Sequence, residues 1–173
     1  MKHAIPQISL TVVLLIVVFC LQGCNKKQSE KKLQLPSDME KLTWSDSINF
    51  ESDPLKKKVR SVAYLKPNAI SQALRPYIYY IKNYSEVGFI FIFSSNDDNK
   101  TCIGPDERKV IKKELKKIKF PTPVFIDADN KYHREYGFIA FLVNHNDIIE
   151  EAANPSMPQY EEMLKEIIQN SRN

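Results

Sequence analysis

Apolar residues change their spacing several times along the chain, and each change predicts an element. From Ile8 to Leu21 the residues are mostly apolar behind one basic residue, Lys2. That length suits a secretory h-region and is short for a spanning helix. Asn25 to Lys32 is polar and highly charged, a composition that buries too little apolar surface to fold and reads as a tether. Leu33 to Pro54 is mixed; Leu42, Trp44, Ile48 and Phe50 fit either a short strand or an arm packed on the domain, with Trp44 as a core or edge anchor. Val59 to Leu65 reads as a strand ended by Pro67, and Asn68 as the N-cap of a helix. In that helix Ile70, Leu74, Tyr77, Ile78 and Ile81 share one face, and Pro76 inside it should kink it. Val87 to Phe93 is a continuous β-forming run, expected as a central strand buried on both faces.

After a polar loop, Ser94 to Gly104, Pro105 opens a second helix with Val110, Ile111, Leu115 and Ile118 inward and lysines outward. Those lysines suit a solvated face, with an anionic lipid surface as the alternative. Phe120 to Asp127 is extended and holds two prolines, which predicts an edge position. Ala140–Val143 and Ile148–Ala152 flank Asn144-His145-Asn146-Asp147 and predict an antiparallel hairpin with an Asx-rich turn. Ser156 to Gln159 reads as a capping box opening a last helix, with Tyr160, Met163, Leu164, Ile167 and Ile168 inward. The order β-α-β-α, extended piece, hairpin, α predicts a mixed sheet flanked by helices.

The Leu21-Gln22-Gly23-Cys24 junction resembles the lipobox of bacterial lipoproteins. The resemblance implies cleavage before Cys24 and lipid on that cysteine, and so a protein held on a bacterial membrane with its domain in the cell envelope outside the cytoplasm. The chain then divides into a signal peptide (1–23), a tether and arm (24–54) and a folded domain (55–173). The 173-residue chain has 25 basic and 21 acidic residues and a net charge of +4. Losing Lys2 leaves +3, a mild balance that gives no argument for nucleic acid. Of the three cysteines, Cys20 leaves with the signal and Cys24 is lipidated, so Cys102 remains as the one free thiol and no internal disulfide forms. It precedes a predicted helix N-terminus and follows Lys100, both of which lower a thiol pKa.

Three local matches carry a second resemblance, spanning about Lys56 to Ile168. Pro76 stands five residues after Ser71; Phe120-Pro121, Ile126-Asp127 and Tyr136-Gly137-Phe138 follow in order; Ala140-Phe141-Leu142-Val143-Asn144 opens the hairpin. Together they resemble the membrane-tethered, extracytoplasmic thioredoxin-like proteins. That implies a thioredoxin-like fold in which a kinking proline follows a Cys-x-x-Cys at the first helix start. Here the slot reads Asn68-Ala69-Ile70-Ser71, without sulfur. The family's cis-proline before the hairpin is also missing, since Gly137-Phe138-Ile139 runs straight into the strand. Disulfide exchange needs a thiolate, so the expectation is a redox-inactive binding or scaffold module, with a thiol enzyme acting in trans through Cys102 as the alternative. Its binding surface for an envelope protein or peptide is expected at Pro67, Ile70, Phe138 and Ile139. No cofactor or metal is expected: His133 and His145 lack ligand spacing, and Asp127 to Lys131 fails as a calcium loop at Lys131. Of Tyr79, Tyr80 and Tyr84, not all can face the core; partner contact and packing on the arm both remain open.

Overall fold

The computed structural model describes residues 31–33, 35, 39–45, 53–95, 103–127 and 139–172. The expected signal segment, Cys24 and most of the expected tether lie outside these. The described residues belong to one unit, Lys31–Asn173. Its strands are β1 (Glu40–Leu42), β2 (Val59–Leu65), β3 (Val87–Phe93), β4 (Val124–Ile126), β5 (Ala140–Val143) and β6 (Ile149–Ala153). Its helices are α1 (Ile70–Asn83), α2 (Pro105–Ile118) and α3 (Gln159–Asn170). The strands form one sheet in the order β1-β4-β3-β2-β5-β6. β2, β3 and β4 are parallel, joined through α1 and α2, while β5 pairs antiparallel with both β2 and β6.

Alternation along the strands sorts the core into two clusters. Val59, Ala63 and Leu65 of β2 and Phe89, Phe91 and Phe93 of β3 face one way, together with the buried residues of all three helices. Val62, Tyr64, Ile90, Ile92 and Phe125 face the other way and are covered by Leu33, Leu35, Met39 and Leu55. At the centre of the helical side Tyr77 packs edge-on against Phe91, with ring centroids 4.7 Å apart, and Phe91 against Phe120 at 5.2 Å. Tyr160 of α3 shares a 2.7 Å hydroxyl hydrogen bond with Ser61 of β2. Burial pushes the Tyr160 phenol well up from its ordinary range.

The N-terminal segment joins both sides of the sheet. Lys32 bridges Ile148 beside β6, with Leu33 N donating to Asp147 O at 2.7 Å and Ile149 N to Lys31 O at 2.9 Å. β1 then pairs with β4 at the opposite edge. Trp44 Nε1 donates to Phe120 O at 2.9 Å and packs on the core, the anchor role expected of it. A 3-10 turn, Pro54–Lys56, crosses the start of β3. Gly88 permits that crossing: a Cβ there would stand 2.0 Å from Pro54 O.

Several local expectations are corrected. Asn68 is exposed and does not cap α1; Ala69 does, in the left-handed region at φ 49° and without a side-chain bond. α1 is buried through Ile70, Leu74, Tyr77 and Tyr80, whereas Ile78 and Ile81 are half-buried. Pro76 lies inside α1, where the periodicity placed it. Val110 is exposed, not inward, and Ile118 is half-buried. β4 is not an edge, because β1 covers its outer side; Pro121 and Pro123 precede the strand and cost it no ladder bond. Ser156 does not cap α3, which begins after Pro158 without a side-chain cap; Asn154 Oδ1 instead accepts from Ser156 N at 2.9 Å. The hairpin matches its expectation: Asn144 Oδ1 accepts from Asn146 N and Ile148 N, an Asx turn. Below it, the buried Arg60 guanidinium donates to Asn144 O and pairs with Asp147 at 2.8 Å.

Candidate functional site

Where β2 ends, the chain turns through Pro67 and Asn68 into α1. α1 lies alongside α2, because each follows a parallel strand and crosses over on the same face. Between the helices opens a cleft of about 340 Å³ lined by Pro67, Ala69, Ile70, Ser71, Gln72, Val110 and Glu114. Three of the four residues in the Asn68–Ser71 slot line it, and Asn68 lies exposed beside them. The expected surface residues Pro67 and Ile70 both border the cleft, but both are buried, Ile70 at 2% exposure within the core. Ile139 stands at the same end of the sheet: Ala63 pairs with Ala140, so Ile139 is level with Tyr64 near the exit of β2. It is 47% exposed. Phe138 and Cys102 lie outside the described residues, as does His133, and His145 is exposed in the hairpin turn.

Two residues of the cleft escaped sequence reasoning. Val110 reads as an inward residue beside Ile111, yet it is 46% exposed and forms part of the wall. Glu114 reads as one charge among the lysines of α2. In the structure the Ser71 hydroxyl donates to its Oε2, 43 positions away in the chain. Lys117 Nζ lies 3.7 Å from the same oxygen. The Ser71 hydroxyl chiefly, with Lys117 and Lys113 behind it, holds the Glu114 carboxyl below the usual carboxylate range. A carboxylate so held keeps its charge. It is an oriented acceptor at the side of an apolar cleft. Among the described residues no group of three or more His, Cys, Asp or Glu side chains could hold a metal ion.

The start of α2 is fixed independently. Gly104 N donates to Glu107 Oε2 at 3.0 Å, and Glu107 Oε1 accepts from Ser95 at 3.0 Å. At the far end of α1, Tyr84 donates to Glu161 of α3 at 2.7 Å, and Tyr79 is exposed while Tyr80 is buried.

No protein-family model and no curated protein matches the chain. Solved structures do. The solution structure of a thioredoxin-like protein in its oxidised form is 11% identical, with a TM-score of 0.50 over 82% of this chain and 97% of the other. The crystal structure of a hypothetical protein from Sinorhizobium meliloti is 12% identical, with a TM-score of 0.51 over 82% of this chain and 84% of the other. StoA from Bacillus subtilis is 16% identical, with a TM-score of 0.48 over 68% and 85%. The chain has a thioredoxin-like α/β fold, a mixed sheet flanked by helices. Among the described residues no helix is long and apolar enough to cross a membrane.

Proposed function

We propose that this chain is a lipid-anchored protein of the bacterial cell envelope whose thioredoxin-like domain binds or scaffolds a protein or peptide partner without dithiol chemistry. One observation carries the reading. The cleft at the head of α1 is open and partly apolar, yet of the two positions that would carry sulfur, Ser71 lines it and Asn68 is exposed next to Ala69. A hydroxyl and an amide retain a surface for contact but cannot exchange disulfides. Anchoring through Cys24 rests on the Leu21-Gln22-Gly23-Cys24 pattern.

The second reading is a thiol enzyme that uses Cys102 with a partner's thiol. It draws on one fact: Gly104 is the N-cap of α2, so Cys102 stands two residues before it. A disulfide-reduction assay on wild type and Cys102→Ser decides between them. No turnover in either supports the module. Turnover lost in Cys102→Ser establishes the thiol enzyme, and turnover that survives it defeats both. Cys24→Ala should abolish palmitate incorporation; equal incorporation in wild type and variant defeats the anchor.

A further inference from the structure

We infer that the cleft between α1 and α2 receives the side chain of a lysine from a peptide partner, its stem along the exposed Ala69 and Val110 and its ammonium on Glu114. The inference rests on the binding-module reading and adds the chemistry of what is bound. The cleft is small for a ligand site, about 340 Å³, and suits one side chain better than a folded element. Its exposed Ala69 and Val110 are apolar, and Glu114 is the only ionisable residue of its lining among the described residues. An aliphatic stem ending in a positive charge matches both halves at once.

The carboxylate is prepared for such a guest. Ser71 and Lys117 both engage Oε2, and Oε1 has no partner among the described residues. Ser71 fixes the orientation of the group, while its side chain stays 24% exposed. Lys117 is mostly exposed and makes only a long contact three positions along the same helix. Such surface pairs contribute little and give way readily to a better-seated cation. Glu114 is also held at the first turn of α1, so it meets the positive end of that helix. A guest therefore encounters a carboxylate there. Lysine fits better than arginine, because a guanidinium fork takes both oxygens of a carboxylate and Ser71 already occupies one. An acidic guest would face Glu114 at close range.

The test is calorimetric titration of the full-length protein in detergent with the peptide Ala-Val-Lys-Val-Ala and its counterpart with norleucine at the centre. Norleucine keeps the four-carbon stem and removes the ammonium. Wild type should bind the lysine peptide about two- to fivefold more tightly. Glu114→Gln should remove that difference, and Val110→Ser should weaken both peptides. Both variants alter side chains that are partly exposed, and circular dichroism checks that they fold. Equal binding of the two peptides by wild type overturns the lysine inference; if Val110→Ser then weakens both, the module reading stands without it. A lysine preference that survives Glu114→Gln also overturns it. Binding of neither peptide overturns it too, and the module reading is then judged by the disulfide-reduction assay alone.

Discussion

Gly88 shows how one missing Cβ can position a whole turn. The Pro54 carbonyl occupies the space that any side chain at residue 88 would fill. Gly88→Ala should therefore destabilise the domain by about 1–3 kcal/mol through overpacking. Urea denaturation measures this, and a change under about 0.5 kcal/mol would mean that the turn yields freely. The sequence carries no sign of it: Gly88 sits in an apolar strand run, and its reason lies 34 positions upstream. Tyr84 is a second residue with a measurable consequence. Burial first, then its bond to Glu161, pushes its phenol up to about 12. Its folded value is above its unfolded one, so its stabilising contribution is complete below about pH 10 and is lost as pH rises toward 12. A phenolate absorbance titration should show a late component near pH 12 that Tyr84→Phe removes. An ordinary value near 10 would sink the assignment.

At the scale of elements, α1 tests the reading of periodicity. Leu74 is fully buried, so Leu74→Ala should cost roughly 2–5 kcal/mol. Ile78 is only half-buried, and Ile78→Ala should cost distinctly less. Equal losses in thermal or urea unfolding would mean that α1 packs differently. The spacing identified the helix and most of its inner face, but it favoured Ile78 over Tyr80, which lies on the opposite margin of the apolar stripe. Tyr80 is the one buried, against Tyr160 of α3 with ring centroids 4.8 Å apart. β3 was legible because both its faces are covered, which favours a continuous apolar run; β2 is equally buried but carries Arg60 and Ser61 inside its span. β4 was misplaced because the strand that covers it, β1, comes from a segment more than 80 positions upstream. The cleft was legible only in its first half. Pro67 to Ser71 could be located from Pro76, whereas Val110 and Glu114 arrive through helix packing that no local pattern encodes.

For the molecule as a whole, the N-terminal segment is the feature that sequence left most open. Leu33 is buried in the second core cluster, and Leu35 and Met39 pack against it. Leu33→Ala should cost roughly 2–5 kcal/mol, as for any fully buried leucine. A near-neutral result in urea would show that the segment contributes little to folding. Among the described residues the segment pairs beside β6 and beside β4, and exposed Glu150 and Glu151 lie along the rest of β6. Strand borders treated in this way resist adding strands from neighbouring molecules. The same arrangement also decides how the domain meets force. Lys31 is seven residues from Cys24. Tension drawn along the chain from that side falls first on the two backbone hydrogen bonds at Lys31 and Leu33. β1, paired with β4, is next along the chain, and the parallel strands carry load only after that short seam and β1 have both peeled.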